Sequence, residues 1–194
     1  AVQVKLDNGS LKPATVVLEN TIYTQEGRQV ATQSRQIDLS PQGTQSYVSN
    51  FRIRKPHLWQ GRPDPYLYKV VTRLKSGETV IDEMVQPLGL RHYEAVAGKG
   101  FFLNGKKYPM YGVTRHQDHW GKGSALSNAD HDQDLSYIME VGATTVRFAH
   151  YQQSDYLYSR CDSLGLIIWC EIPFVNRVTG KEWENCHSQL RELI

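Results

Sequence analysis

The sequence is poor in cysteine, in long apolar runs and in clustered charge. Its three cysteines, Cys161, Cys170 and Cys186, lack CxxC spacing, and their odd number argues against a disulfide framework, so we expect buried free thiols. No stretch approaches the roughly eighteen consecutive apolar residues of a transmembrane helix, so no membrane partner is expected. The 22 basic and 20 acidic residues are well mixed and give a net charge of +2, which does not favour a nucleic-acid partner.

The first part of the chain has the pattern of β-strands. Apolar residues recur with period two, as in Val16, Leu18 and Ile22, and short glycine-containing turns separate the runs. This spacing predicts an immunoglobulin-like β-sandwich of about seven strands over residues 1–88. The stretch RKPHLWQGRPDPYLY is predicted to cross between two strands, because proline cannot donate a hydrogen bond to a strand ladder.

The pattern changes after residue 88. Asn104-Gly105 predicts a tight hairpin, and a short strand should end near Gly112. Two helices then alternate with apolar runs at 143–147 and 166–170, which predicts a parallel sheet. Neither glycine-rich phosphate fingerprint follows a strand, so we favour a (β/α) barrel over a doubly wound fold. Residues 89–194 would supply about three of the eight units of a TIM barrel.

Helix-capping residues mark the bounds of these two helices. Asn128 is predicted to cap the first helix, and Gly142 to stop it. Ser154 is predicted to cap the second helix, and Gly165 to end it in a left-handed conformation.

Ionisable residues follow three successive predicted strands. Arg115 and His116 follow the first, Arg147 and His150 the second, and Glu171 the third. Because the active site of a barrel lies at the carboxyl ends of its strands, we expect these side chains at one mouth. Hydrogen-bond donors beside a carboxylate suit a hydroxyl-rich substrate such as a sugar. The sequence therefore predicts a carbohydrate site, in which a neutral His150 donates to a sugar hydroxyl.

These residues also have structural interpretations. Arg147 is equally well interpreted as the ion-pair partner of Glu171, and His150 as a hydrogen-bonded loop histidine. Trp120 is the better candidate for a platform under a sugar ring, because Trp169 lies in an apolar run and is expected in the core.

Several histidines and an aspartate form a second candidate cluster, for a metal ion. They are His116, Asp118, His119 and His131. Their spacing matches neither a helical HxxxH pair nor a compact ligand set, so structural or substrate-facing roles are favoured. We expect no metal or other cofactor in this chain.

The same residues belong to longer motifs. The stretch FFLNGKKYPMYGVTRHQDH resembles the barrel entry of glycoside hydrolase family 2, and VRFAHYQQSDYLYSRCDSLGLIIWCEIP resembles the signature that follows it in that family. The upstream PHLWQGRPDPYLYKV and GLR resemble the end of the family's sandwich domain, so the similarity covers nearly the whole chain. The RHQD and AHYQQ forms are most similar to β-galactosidases.

The resemblance implies that the chain is an internal piece of a retaining β-galactosidase, here called the full-length protein. A β-glucuronidase or β-mannosidase of the same family is the alternative. The resemblance places His116 and His150 in the sugar pocket, with Arg147 and Glu171 in support. The family's two catalytic glutamates are expected beyond Ile194, so no residue here is predicted to be catalytic and the chain alone should be inactive. The resemblance also allows a divalent metal and a homo-oligomer in the full-length protein.

Two other functions are compatible with parts of the sequence. A carbohydrate-binding module would use the sandwich alone, and a metal hydrolase would use His116, His119 and His131. A binding module has no need of strand–helix alternation with polar strand ends, so the observed pattern favours an enzyme.

Overall fold

The chain consists of two compact units in the computed structural model, which describes residues 1–176 and 179–193. Unit 1 comprises Ala1–Leu58 and Tyr66–Leu90, and unit 2 comprises Trp59–Pro65 and Arg91–Ile194. None of the helices in the described ranges combines the length and hydropathy needed to span a bilayer.

Unit 1 is a sandwich of two antiparallel sheets. Strands β1 and β4 form one sheet, and the other has the order β3-β2-β5-β6. The strands are β1 (Val2–Asp7), β2 (Ala14–Tyr23), β3 (Gln29–Leu39), β4 (Thr44–Ser49), β5 (Tyr68–Ser76) and β6 (Thr79–Leu88). The immunoglobulin-like sandwich is confirmed, with six strands rather than about seven, and the proline-rich stretch between β4 and β5 forms no strand, as predicted.

The core of unit 1 lies between its two sheets. Val16, Leu18 and Ile22, which alternate along β2, are each 2–4% exposed, as their period predicts. Val4 of β1 and Tyr47 of β4 pack against the apolar cluster that contains Val16 and Leu18, so the short sheet covers the inner face of the long one.

Unit 2 begins with a three-stranded antiparallel sheet and continues as alternating strands and helices. The first sheet contains β7 (Tyr93–Val96), β8 (Gly100–Leu103) and β9 (Lys106–Lys107). The alternating elements are β10 (Gly112–Arg115), α1 (Asn128–Glu140), β11 (Thr145–Phe148), α2 (Asp155–Leu164), β12 (Ile167–Cys170) and α3 (Trp183–Leu193). Strands β10, β11 and β12 pair in parallel in that order, which confirms the predicted start of a TIM barrel.

Local signals predicted some element bounds correctly and others wrongly. Asn104 and Gly105 both have positive φ in the β8–β9 turn, as the predicted hairpin requires. The first parallel strand begins at Gly112 instead of ending there. Helix α1 is capped by Ser127 and not by Asn128, because the Ser127 hydroxyl and the Asp130 carboxylate complete a reciprocal capping box.

The two faces of the parallel sheet differ in their environment. Val146 and Phe148 of β11 are fully buried against α1 and α2, where they pack with Leu135, Leu157 and the free thiol Cys161. Cys170 and Cys186, also free, are only partly buried, so the expectation of buried thiols holds for Cys161 alone. Because side chains alternate along a strand, Arg147 lies on the opposite face, where Trp169 is its register partner on β12.

Residues 59–65 hold the carboxyl ends of both helices that cover this sheet. The buried Trp59 indole donates to the Asp162 carbonyl in the last turn of α2, at 2.8 Å. The Arg62 guanidinium donates to the carbonyls of Ala143 and Met139 at the end of α1, at 2.9 and 3.4 Å. The Asp162 and Met139 carbonyls also accept from the backbone nitrogens of Gly165 and Gly142, so this segment adds a side-chain donor at each helix end.

Gly165 ends α2 in the left-handed conformation, with φ of +77°, as predicted. It also lies directly against the backbone of residues 59–65. A Cβ atom at this position would lie 2.4 Å from the Gly61 carbonyl and 2.5 Å from the Arg62 nitrogen. The position therefore requires glycine for both conformation and space.

Candidate active site at the strand ends

A carboxylate at the end of β12 is bound by two side chains from the end of β11. The Arg147 Nε donates to Glu171 Oε1 at 2.5 Å, and its Nη2 donates to Oε2 at 3.1 Å. His150 Nδ1 lies 2.9 Å from Glu171 Oε2 and 3.1 Å from Arg147 Nη2. The structure thus brings three of the predicted residues together, with Arg147 as the ion-pair partner of Glu171.

The contact between His150 and Glu171 determines what the imidazole can offer a substrate. His150 Nδ1 is closer to Glu171 Oε2 than to Arg147 Nη2, and Arg147 Nη2 already donates to that oxygen, so we assign the proton to Nδ1. With the proton on Nδ1, Nε2 of a neutral His150 accepts a hydrogen bond. A neutral ring would then accept a hydrogen bond from a sugar hydroxyl, in contrast to the donor role expected from the sequence.

His116 lies beside His150, and Trp120 does not join the cluster. The exposed His116 ring meets the His150 ring edge-on at a centroid distance of 5.3 Å, and the Tyr151 ring at 6.0 Å. The Trp120 side chain is fully exposed and is absent from the described lining of the cleft at Glu171. His116 therefore remains a candidate by position, whereas the predicted platform at Trp120 has no contact with this cluster.

A cleft of about 670 Å³ opens beside Glu171. Arg147, His150 and Glu171 form its polar side, and aromatic residues that include Trp169 and Trp183 of α3 form much of its apolar side. Among the described residues that line the cleft, Glu171 is the one carboxylate. Polar groups beside flat apolar rings are the combination that binds sugars.

Trp169 was expected in the core, and this was wrong. Its side chain is 63% exposed, and its indole Nε1 donates to Glu171 Oε1 at 3.0 Å. The sequence did not indicate this exposure, because both neighbours of Trp169 are apolar. In the structure only alternate residues of β12 face the helices. Trp183, which sequence reasoning missed, lies in the same cleft and carries no motif of its own.

Arg115 faces away from the cleft and lies in a second polar cluster. Its side chain is only 5% exposed and donates to Asp134 at 2.8 Å and to Gln153 Oε1 at 2.6 Å. Its Nη2 lies 3.0 Å from His131 Nδ1, and His119 Nε2 lies 3.0 Å from Asp134. The expectation that Arg115 would point into the mouth was therefore wrong.

Three of the four candidate metal ligands are divided between these two clusters, and the fourth, Asp118, is exposed. His116 contacts His150, whereas His119 and His131 contact Asp134 and Arg115. Burial, together with the nearby Arg115 cation, lowers the pKa of His131. Within residues 1–176 and 179–193, no group of three or more His, Cys, Asp or Glu side chains could hold a metal ion.

Comparison with known families accounts for both units. Residues 1–91 match the family model described as "Glycosyl hydrolases family 2", and residues 95–193 match "Glycosyl hydrolases family 2, TIM barrel domain". The chain belongs to glycosyl hydrolase family 2. The resemblance found in the sequence motifs is thereby confirmed.

Relatives within glycosyl hydrolase family 2 carry two different names. A β-glucuronidase of Bacteroides fragilis is 46% identical over 123 residues, which are 63% of this chain and 18% of that protein. A B. fragilis crystal structure provisionally named a β-galactosidase is 75% identical, with a TM-score of 0.95 over 99% of this chain and 28% of the other. A Bacteroides uniformis β-glucuronidase is 35% identical, with a TM-score of 0.92 over 99% and 23%. The family of the chain is therefore established, but the names of these relatives do not distinguish a β-galactoside from a β-glucuronide as the substrate.

Electrostatics at Glu171 follow from its contacts. The hydrogen bonds from Arg147, with a smaller contribution from His150, lower the pKa of the Glu171 carboxyl from 4.5 to about 2, against the opposing effect of burial. The same ion pair raises the pKa of Arg147. Glu171 is therefore ionised throughout the neutral range.

Acid titration should reveal this ion pair. Because the folded carboxyl has the lower pKa, its stabilisation is complete above pH 4.5 and is lost as the pH falls from 4.5 towards about 2. We expect the free energy of unfolding of the wild-type chain to fall more steeply across that window than that of Glu171→Gln. Urea unfolding followed by circular dichroism at 222 nm measures this, since the described helices all lie in unit 2.

Arg147→Met provides the matched control, because it removes the principal cause of the low pKa and keeps the carboxylate. Its stability should change less across the same window than that of the wild type. Identical pH slopes in all three proteins would contradict the assignment.

Proposed function

We propose that the full-length protein hydrolyses terminal β-glycosides with retention of configuration, and that this chain supplies part of its sugar-binding site. The observation that supports this most strongly is the convergence of Arg147, His150 and Glu171 from two strand ends on one cleft. Carboxyl ends of barrel strands carry the active site in enzymes of this architecture. Trp169 and Trp183 offer apolar faces for the C–H surface of a sugar ring.

In this proposal Glu171 orients its neighbours and takes no part in the displacement. Four contacts engage its two oxygens: two from Arg147, one with His150 and one from Trp169. An ionised carboxylate cannot serve as the general acid, and a retaining glycosidase needs two carboxyl groups about 5 to 5.5 Å apart. The cleft lining described here offers one.

The favoured substrate is a β-galactoside. Arg147 is the one permanently charged cation among the described residues of the cleft lining, and it is paired with Glu171. A neutral sugar therefore suits this part of the site better than a sugar acid, which would need a free cation. The AHYQQ and RHQD forms support the same substrate.

A β-glucuronide is the second candidate. The names of two related proteins favour it: the B. fragilis β-glucuronidase and the B. uniformis β-glucuronidase. The chain spans only 17–18% of the length of the first curated relatives. If the substrate is a glucuronide, a cation in another part of the full-length protein would recognise its carboxylate.

We expect the purified full-length protein to hydrolyse 4-nitrophenyl β-galactoside with a higher kcat/KM than 4-nitrophenyl β-glucuronide. The measurement is initial rate against concentration for both substrates. A reversed preference would assign the glucuronide, and no turnover of either substrate would overturn the proposed hydrolase.

The isolated chain is the informative comparison in the same assay. With one carboxylate in its described cleft lining it should show no turnover above buffer. Turnover by chain purified from a host that lacks its own β-galactosidase, and lost in Glu171→Gln, would contradict the role given to Glu171.

A further inference from the structure

Five hydrogen bonds join the loop after β10, which carries His116, to the loop after β11, which carries His150. Four of the five involve the side chain of residue 117, 151 or 153, and the fifth joins the main chains of Ala149 and Arg115. The bonds are Ala149 N to Arg115 O at 3.1 Å, Gln117 N to Tyr151 Oη at 3.0 Å, Ser154 N to Gln117 Oε1 at 2.7 Å, Arg115 Nη1 to Gln153 Oε1 at 2.6 Å, and Gln153 Nε2 to Arg115 O at 3.1 Å. These polar groups of the two loops thus bond to each other and not to solvent.

Gln153 occupies the centre of this connection. Its side chain is 6% exposed, and the amide both accepts from the Arg115 guanidinium and donates to the Arg115 carbonyl. The same amide nitrogen lies 3.5 Å from the Ala149 carbonyl. It therefore contacts the residue immediately before His116 and the residue immediately before His150.

Arg115 gives the connection a fixed support. Its guanidinium is held by Asp134 of α1, which is packed against the sheet. Buried hydrogen bonds to a charged group are short and directional, so the Gln153 amide has little freedom to rotate. Gln153 itself is absent from the described lining of the cleft.

We infer that Gln153 is a positioning residue that sets the separation of the His116 and His150 rings for sugar binding. The inference rests on the proposed function. Gln153 acts through the backbone of its neighbours, because its amide bonds to Arg115 and lies near Ala149 without lining the cleft. Removal of the amide should let the two loops shift independently, and a displacement of about 1 Å at reacting groups can lower a rate about a hundredfold.

The test is Gln153→Met in the full-length protein, with Gln152→Met as its matched control. Gln152 is the adjacent glutamine, is exposed and accepts one long hydrogen bond from Tyr158. We expect Gln153→Met to lower kcat about 10- to 100-fold with a change in KM below about threefold, and Gln152→Met to change neither. A lower Tm with kcat within about twofold of wild type at 25 °C would overturn the inference, since that is what loss of packing alone produces.

Gln153→Glu decides the matter if Gln153→Met does not fold. It keeps the volume and the acceptor for Arg115, and it loses the donor to the Arg115 carbonyl. A wild-type kcat in Gln153→Glu would overturn the inference.

A measurement on the isolated chain separates this inference from the proposed function. Nuclear Overhauser contacts between the His116 and His150 rings should be present in the wild type and in Gln152→Met, and weakened in the Gln153 variants. If the full-length wild type hydrolyses neither substrate, the proposed function fails. Unchanged ring contacts in the Gln153 variants would overturn the positioning role independently.

Discussion

Gly165→Ala should destabilise unit 2 by about 2 to 5 kcal/mol, the upper end of which is close to the limit that a domain of ordinary stability tolerates. Two costs add. An alanine in the left-handed conformation costs about 1 to 2 kcal/mol, and forcing a methyl group against a packed backbone costs about 1 to 3 kcal/mol. The atoms it would meet, in Gly61 and Arg62, belong to the main chain and cannot rotate away.

Urea unfolding followed by tryptophan fluorescence measures this effect in unit 2 alone, because Trp59, Trp120, Trp169 and Trp183 are all in that unit. Gly142→Ala is the matched control. Gly142 follows α1 with φ of +79°, but a Cβ there would meet no described atom within 4 Å. It should lose only the conformational cost, about 1 to 2 kcal/mol. Equal losses in the two variants would show that contact with residues 59–65 contributes nothing.

His150→Phe in the full-length protein should lower kcat about 10- to 1000-fold, equivalent to about 1.4 to 4 kcal/mol, with a smaller change in KM. Phenylalanine keeps most of the ring volume and removes Nε2, the nitrogen that Glu171 and Arg147 do not engage. Hydrogen bonds to sugar hydroxyls strengthen as the oxocarbenium-like transition state forms, so the loss should appear mainly in kcat.

His92→Phe, in an exposed loop, controls for the substitution itself. If His150 only holds Glu171 in place, His150→Phe will lower Tm and leave kcat nearly intact. Measurement of both quantities on one preparation distinguishes the two roles, and an unchanged kcat would remove His150 from the site.

Features with a local cause were predictable from the sequence. Period two placed Val16 and Leu18 in the core of unit 1, and left-handed glycine placed the end of α2 at Gly165. His150 and Glu171 were expected together because parallel strands end at the same edge, which is a property of the fold and not of either residue.

The cap of α1 was predicted wrongly although its signal is local, because Asp130 lies three residues after Ser127 and completes a capping box with it. Features that depend on distant partners were not predictable. Arg115 resembles any other strand-end cation until Asp134 and Gln153 are placed around it. Gln153 has no local signal, because its bond to the Arg115 carbonyl joins residues 38 apart in the sequence. Trp183 likewise carries no motif, and it lines the cleft at Glu171 only once the chain has folded.

Residues 59–65 limit how the two units can be exchanged during evolution. By sequence they interrupt the sandwich, between β4 and β5, yet their side chains complete the ends of α1 and α2. A gene fusion that joined a foreign sandwich to this barrel near residue 91 would leave Gly165 and two helix ends without their partners. An exchange of unit 1 by recombination therefore preserves these contacts only if the incoming sandwich carries residues that match Trp59, Gly61 and Arg62. We expect the two units to be inherited together.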